Sequence, residues 1–309
     1  MDAIEVVDFH VHLWERVDGL ERGKHTSSAA HGLVAYDGVE FERWTPPSFV
    51  DSAAGAEMFI EYMDWVGVHR AVLMQAPCYG FFNRDYAELL NAHPDRFVAA
   101  FGLADPRQGR RAVAELQEII TVYNLAGVKF QLADTQFMLD DERYLPFWDK
   151  LAELGGIAAF DMAVRHDDPF GWQIAALERV VGKFDGARFV LLHLGTPSLH
   201  DVSQTYPFPD LQRTLQLGKY PNVWFELGGM PWACRHEEYP YQRGQGMIRA
   251  AVEQVGAERI MWGSDWPGTL CQCTYQQNVD IVRRHCEFLT PRQRAQILGG
   301  TACRVLGVA

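Results

Sequence analysis

The sequence is short of positive charge. Its 309 residues include 28 lysines and arginines against 40 aspartates and glutamates, which gives a formal net charge of −12. Nucleic-acid-binding proteins need a basic face that neutralises phosphates, and anionic lipid surfaces attract basic segments. We therefore expect neither a nucleic-acid partner nor attachment to a membrane surface.

Long apolar runs and abundant cysteines are also missing. No stretch approaches the roughly 20 apolar residues that a bilayer-spanning helix needs, and the acidic start at residues 1–5 lacks the pattern of a signal peptide. The six cysteines are few for a disulfide framework, and Cys271 and Cys273 have no second pair with which to build a structural zinc cluster. These absences predict a cytoplasmic protein without disulfides.

A missing motif bears on the fold. The G-x-G-x-x-G turn of dinucleotide-binding open sheets does not occur. Eight short apolar runs do occur, and from the second onward they start about 26 to 37 residues apart, the length of a strand, a helix and two loops. Segments with helical periodicity, such as 57–66, 112–123 and 142–154, lie between them. The predicted strands are 4–10, 71–76, 97–103, 126–131, 157–162, 187–193, 222–227 and 259–264.

Strands that are apolar on both faces and alternate with helices form parallel sheets covered by helices. Eight such units close into a (β/α)8 TIM barrel, and no linker divides residues 1–309, so we predict a single α/β barrel domain. Two segments, 13–56 and 196–211, are too long for the repeat. We expect them to be long loops after strands 1 and 6 that help to build the pocket.

Histidines stand at two predicted strand ends, where barrel enzymes place their active sites. His10 and His12 are two residues apart at the end of strand 1, so they point to the same face and can share one divalent ion. His193 ends strand 6, where it can bind a metal, carry a proton or anchor a substrate oxygen. The alternative is that these histidines have no catalytic role and are either exposed to solvent or hydrogen-bonded within the core.

Acidic residues occupy two further strand ends. Asp265 follows strand 8, which lies beside strand 1 in a closed barrel, so its carboxylate should face the histidine pair. There it can bind a metal and accept a proton from water, or it only caps the next helix. Asp161 ends strand 5, and Arg165 and His166 beyond it are candidates to hold a substrate carboxylate or a lactone oxygen, with a surface ion pair as the alternative.

These motifs resemble the amidohydrolase superfamily, in its amidohydrolase-related branch, over essentially the whole chain. Residues 8–14, DFHVHLW, resemble the D-x-H-x-H-x-W start of the sugar-lactone and dicarboxylate lactonases, and residues 262–267, WGSDWP, resemble the G-S-D-x-P close. Weaker similarities lie at 93–106, 127–130 and 192–195. The resemblance implies hydrolysis of a C–O or C–N bond by activated water.

The resemblance also implies a metal site. Many members bind one Zn²⁺ or Mn²⁺ through the first-strand histidine pair, a fifth-strand histidine and the eighth-strand aspartate, here His10, His12 and Asp265. This chain has Asp161 where the fifth-strand histidine usually stands, so Asp161 is either an extra oxygen ligand or a mark of lactonases that work without metal. Lys129 matches a fourth-strand lysine that is carbamylated and bridges two metals in other branches, and the missing histidine argues against such a binuclear centre.

The sequence therefore predicts a hydrolase that acts on a small carboxylated or sugar-derived lactone. Asp265 would be the general base, and His193 would donate to the carbonyl or stabilise the leaving oxygen. Lys129 and Trp266 join the candidate substrate-binding residues. One alternative is a metal-dependent decarboxylase, hydratase or C–C hydrolase of an aromatic or unsaturated acid. Another is a non-catalytic barrel, which would leave the converging histidines and aspartates unused. Formation of a homo-oligomer stays open.

Overall fold

The computed structural model describes residues 4–162, 170–195 and 205–308. Its strands form two sheets, one of eight parallel strands and one of four antiparallel strands. The strands are β1 (Val7–Val11), β2 (Asp18–Glu21), β3 (Lys24–Ser28), β4 (Leu33–Tyr36), β5 (Glu40–Arg43), β6 (Arg70–Met74), β7 (Phe97–Gly102), β8 (Gly127–Gln131), β9 (Ile157–Asp161), β10 (Arg188–Leu191), β11 (Val223–Glu226) and β12 (Ile260–Met261).

The parallel sheet runs in the order β1-β6-β7-β8-β9-β10-β11-β12, so its strands pair in chain order. Its first and last strands meet through the segment after β12. The backbone amide of His12 donates to the Trp266 carbonyl at 2.8 Å, and the amide of Asp265 donates to the His10 carbonyl at 2.9 Å. These contacts confirm the predicted (β/α)8 barrel and place the segment after the eighth strand beside the histidines of the first.

The barrel interior is filled by apolar side chains from different strands. Phe9 of β1 packs edge to face on Phe101 of β7, with ring centroids 6.0 Å apart, and Val190 of β10 belongs to the same buried cluster. Side chains from strands so far apart in the sheet order can meet only inside the closed ring. The pairing of β1 with β6 shifts register between Asp8 and Val11, an irregularity of the kind that redirects side chains near active sites.

Helices cover the outside of the barrel. Three of them, at residues 56–66, 110–121 and 145–153, confirm the periodic segments that the sequence predicted to within a few residues, and Thr290 caps another with its hydroxyl as expected. The helices are α1 (Ala56–Val66), α2 (Asn83–Ala92), α3 (Arg110–Thr121), α4 (Leu132–Thr135), α5 (Leu145–Glu153), α6 (Ile174–Lys183), α7 (Pro209–Leu215), α8 (Met230–Ala233), α9 (Gln242–Val255), α10 (Tyr275–Asp280), α11 (Pro291–Ala295) and α12 (Thr301–Leu306).

The segment after β1 corrects our expectation of a loop over residues 13–56. It contains the antiparallel sheet β2–β5, whose strands pair in chain order. The turns between β2 and β3 and between β4 and β5 contain Arg22-Gly23 and Asp37-Gly38, all four with φ between 50° and 81°. Positive φ at successive turn residues is typical of tight β-hairpins. The glycine and polar content that suggested a loop therefore belongs to hairpin turns.

The insertion sheet β2–β5 is fixed to the loop after β6. The amide of Leu20 donates to the Pro77 carbonyl at 2.8 Å, and the hydroxyl of Thr26 donates to the Cys78 carbonyl at 2.6 Å. A Cβ atom on Gly19 would lie 2.3 Å from the Pro77 oxygen, so only glycine permits this close approach. The sheet is thus held against the barrel by hydrogen bonds to backbone carbonyls of the loop after β6.

The second predicted loop, 196–211, is only partly described. Residues 196–204 lie outside the described residues, and α7 begins at Pro209, so the end of that segment is helical. All six cysteines are described and are free thiols, in agreement with the prediction of no disulfide framework. None of the helices in the described part of the chain combines the length and the apolarity that crossing a bilayer would require.

Candidate active site

Side chains from the first and last barrel strands converge at the C-terminal end of the barrel. The Nε2 atoms of His10 and His12 lie 3.0 Å apart, and the Asp265 Oδ1 atom lies 3.2 Å from His12 Nε2 and 3.8 Å from His10 Nε2. Ligand atoms of His10, His193 and Asp265 also lie within 4.8 Å of one another, so His193 borders the same point. The Asp161 Oδ2 atom is 3.7 Å from His193 Nε2. The structure thus brings together five residues that the sequence analysis selected.

The backbone holds the outer nitrogens of two of these imidazoles. His12 Nδ1 lies 2.6 Å from the Met74 carbonyl oxygen, and His193 Nδ1 lies 2.5 Å from the Gly228 carbonyl oxygen. A carbonyl can only accept, so each Nδ1 carries a proton and each Nε2 faces the shared point. Metal-binding and catalytic histidines are usually oriented in this way, by a hydrogen bond from the ring nitrogen that does not face the site.

Glu226 performs the corresponding role for His10, and our sequence reasoning missed it. Its Oε2 atom lies 3.3 Å from His10 Nδ1 and accepts from the backbone amide of His193 at 3.2 Å, while Oε1 accepts from the amide of Gly228. Glu226 is fully buried at the end of β11. A single acid at the end of the apolar run Val223–Phe225 is the same signal that led us to Asp161, and it was available in the sequence.

Burial and the nearby charges set the protonation of the closest groups. Burial, assisted by the Lys129 charge, lowers the pKa of His12 to about 3, and burial lowers the pKa of His10 well below its usual value. Burial alone would raise the pKa of Asp265, but its contact with His12 and the other histidines holds that pKa well below the usual range. The first-strand imidazoles are therefore neutral and the carboxylate is ionised at neutral pH.

His193 differs from the other two histidines. Burial opposes its protonation, but the carboxylates of Asp161, Asp265 and Glu226 outweigh that effect and raise its pKa. With Nδ1 donating to a carbonyl and Nε2 facing Asp161, His193 can carry both ring protons. It is suited to donating a hydrogen bond to an oxygen that develops negative charge.

The donors His10, His12 and Asp265 fit a divalent metal ion. Metal ligands must be deprotonated, and two neutral imidazoles with one carboxylate meet that requirement. For tetrahedral zinc with Zn–N distances near 2.0–2.1 Å, neighbouring donors are separated by about 3.3 Å. The observed separations of 3.0, 3.2 and 3.8 Å bracket this value. Three protein donors also leave a fourth position open, as in catalytic zinc sites.

The shared point opens into a cavity of about 440 Å³. The barrel contributes Lys129, Asp161 and Tyr79 to its wall, and the insertion sheet β2–β5 contributes Tyr36 and Arg22 among others. The side chain of Lys129 is almost fully buried, and no hydrogen bond or ion pair to its ammonium group is found among the described residues. A buried, unpaired cation beside the converging histidines is suited to an oxygen atom of a substrate.

The described residues that line the cavity do not include Trp266, Arg165 or His166, which the sequence predicted as substrate contacts. Trp266 is fully buried and packs against Phe59, with ring centroids 4.7 Å apart, and it does not line the cavity. The structure therefore gives Trp266 a packing role, because the residues after β12 turn its ring outward into the core around α1. Arg165 and His166 lie outside the described residues, and their assignment stays a prediction.

The family model described as "Amidohydrolase" matches residues 7–308. The curated L-fucono-1,5-lactonase of Burkholderia multivorans is 27% identical over 44% of this chain and 48% of its own length. The curated 2-pyrone-4,6-dicarboxylate hydrolase of Comamonas testosteroni is 26% identical over 77% of this chain and 75% of its own length. The matched region thus spans about half of that L-fucono-1,5-lactonase, and 31% of a second one from Burkholderia ambifaria.

Solved structures share the fold over nearly the whole chain. An amidohydrolase from Burkholderia multivorans with bound zinc superimposes with a TM-score of 0.71 at 19% identity, covering 99% of this chain and 100% of its own. The 5-carboxyvanillate decarboxylase of Sphingomonas paucimobilis superimposes with a TM-score of 0.67 at 16% identity, covering 99% and 100%. At such identities these likenesses establish the fold only.

Proposed function

The chain belongs to the amidohydrolase family, and from that premise we propose that it hydrolyses a small lactone by attack of an activated water. The observation that carries the proposal is the convergence of His10, His12, His193 and Asp265, of which the last three line one cavity. The curated relatives support the substrate class, because a fuconolactone and a 2-pyrone are both cyclic esters. The decarboxylase alternative is supported by likeness of fold alone.

We assign the general base to Asp265. Its carboxylate is ionised at neutral pH and lies beside the histidine pair, so it can take a proton from a water as the water oxygen bonds to the ester carbonyl carbon. When the ring C–O bond breaks, the same proton passes to the leaving alkoxide. His193 donates a hydrogen bond to the carbonyl oxygen as its negative charge develops.

We propose that His10, His12 and Asp265 hold a divalent ion, with zinc as the first choice. Such an ion, when bound, polarises the carbonyl and lowers the pKa of water. Glu226 and the Met74 carbonyl keep the two imidazoles in the tautomer whose Nε2 atoms can bind it. Dialysis against a chelator should lower lactone hydrolysis, and added Zn²⁺ should restore it.

The test of this function is the kcat of Asp265→Asn on δ-valerolactone with the zinc-loaded protein. Asparagine keeps the size of the side chain but cannot take the proton, and general-base catalysis contributes about 10²–10⁴-fold. Asp149→Asn, on the exposed face of α5, is the matched control and should keep wild-type kcat. An Asp265→Asn variant within a few-fold of wild type would contradict the assigned base.

A further inference from the structure

Two buried acceptor atoms of cavity-lining residues lack any hydrogen-bond partner within the described residues. They are Asp134 Oδ2 and Gln272 Oε1. The Asp134 side chain is only 5% exposed, and its other oxygen, Oδ1, faces Arg22 Nε at 3.5 Å. Buried polar atoms are nearly always paired, so an unpaired one at a cavity wall indicates a group that arrives with a ligand. Both atoms are oxygens that can accept a hydrogen bond, so each can pair with a donor that a ligand brings.

The two residues stand across the barrel mouth from each other. Asp134 lies in α4, directly after β8, and Gln272 follows the turn after β12 that also carries Asp265. β8 and β12 are the fourth and eighth of eight strands in the ring, which places them on opposite sides. A ligand that contacts both therefore spans the mouth above the converging histidines and Asp265.

The insertion-sheet wall disfavours an anionic group beside Asp134, in contrast to the barrel wall, which carries Lys129. Glu21 and Glu42 of the insertion sheet both line the cavity, and the Tyr36 hydroxyl bridges them at 2.6 and 3.0 Å. The Arg43 guanidinium on the same wall already donates to the His31 carbonyl at 2.6 Å. A carboxylate on the ligand would add acceptors where acceptors are in excess. A hydroxyl group instead supplies a donor without charge.

We infer that Asp134 and Gln272 form a hydroxyl-binding subsite that selects an uncharged, polyhydroxylated lactone over a carboxylated one. The lactone part of this inference rests on the proposed function, whereas the recognition of hydroxyl groups rests on the two unpaired acceptors. Burial also raises the pKa of Asp134 to about 7, so near neutrality this side chain can accept from one hydroxyl and donate to another.

Binding can be tested without hydrolysis. Calorimetric titration of the zinc-loaded protein would compare a trihydroxylated δ-lactam, a stable mimic of a sugar lactone, with the unsubstituted δ-lactam. Asp134→Leu and Gln272→Leu should each weaken binding of the trihydroxylated lactam by about 10- to 100-fold, because a hydrogen bond with a buried acceptor is lost. Asp134→Asn, which keeps one acceptor oxygen, should fall between wild type and Asp134→Leu. Asp149→Asn should match wild type.

Two further results separate this inference from the proposed function. Unsubstituted lactam should bind all variants equally, and equal losses for both lactams would overturn the subsite. If wild type opens no lactone but the trihydroxylated lactam binds and the leucine variants weaken it, the subsite stands and lactone hydrolysis fails. If lactones are opened but the variants leave the preference for hydroxylated over unsubstituted lactone unchanged, the subsite fails alone. Tighter wild-type binding of a dicarboxylated δ-lactam would also overturn it.

Discussion

Replacement of Glu226 by glutamine should weaken metal binding more than it weakens the fold. Glu226 is fully buried and receives three donors, which are His10 Nδ1 and the backbone amides of His193 and Gly228. The glutamine side chain has the same shape but only one acceptor oxygen. At least one of the three donors would then lose its partner or face an amide N–H group.

The magnitude follows from those contacts. Loss of one hydrogen bond costs about 0.5–1.5 kcal/mol of unfolding free energy when the acceptor is neutral and about 1.5–3 kcal/mol when it is charged. A change in the partner of a metal-binding histidine lowers metal affinity or activity by about 10–100-fold. We therefore expect Glu226→Gln to lower Zn²⁺ affinity by about one to two orders of magnitude, because the His10 ring is no longer held in the binding tautomer.

Asp8 provides a matched control. It is also fully buried, and burial raises its pKa to about 7, as it does for Glu226. Its carboxylate accepts from the amide of Ser264 at 2.8 Å, the hydroxyl of Tyr275 at 2.8 Å and the amide of His10 at 3.2 Å, and no imidazole ring of the described residues is hydrogen-bonded to it. Asp8→Asn should lower the unfolding free energy comparably while leaving the tautomer of His10 unchanged.

The assay is competition for Zn²⁺ between each protein and a chromophoric chelator, with urea unfolding measured on the metal-free proteins. Glu226→Gln and Asp8→Asn should show similar losses of unfolding free energy, and only Glu226→Gln should lose Zn²⁺ affinity. Equal Zn²⁺ affinities for Glu226→Gln and wild type would refute the assignment of Glu226 as the residue that orients His10. Equal affinity losses for both variants would show that the effect is a general consequence of instability.

Two other predictions concern the insertion sheet and the cavity. In Gly19→Ala, the added Cβ would press on the Pro77 oxygen and displace the insertion sheet. The substitution should therefore lower the unfolding free energy by about 1–3 kcal/mol, the usual cost of overpacking. It should also raise KM for lactones more than it lowers kcat. Wild-type Tm together with wild-type KM would argue against a fixed wall. Because burial raises the pKa of Asp134 from 3.8 to about 7, the stability linked to its neutral form is complete below about pH 4 and is lost as the pH rises through 7. Urea titrations should therefore show that the unfolding free energy of Asp134→Asn rises relative to that of wild type between acid and mildly alkaline pH. The rise should be at most about 4 kcal/mol, at 1.36 kcal/mol per pKa unit. A difference in unfolding free energy that does not change with pH would contradict the raised pKa.

Local patterns in the sequence were sufficient to predict the barrel fold and the residues that converge at its C-terminal end. Regular alternation of apolar runs and amphipathic helices determines pairing in chain order, since short connections join neighbouring strands. Closure then brings the end of the first strand to the end of the last, which is why His10, His12 and Asp265 could be placed together from their positions alone. Strand pairing and the placement of these residues depend on chain order and periodicity, and both can be read directly from the sequence.

The tertiary structure decided which polar atoms find partners. Glu226 holds His10, Trp266 turns into the core, and Asp134 and Gln272 each keep an oxygen without a hydrogen-bond partner in the described part of the chain. Each outcome depends on atoms that are distant in sequence and brought within a few ångströms by folding. The insertion sheet was hidden for a related reason: its four short strands are stabilised by one another and by the loop after β6, so none is recognisable alone. The sequence alone determined the barrel fold and its converging residues, whereas long-range contacts decided which polar groups line the cavity and which of them have partners.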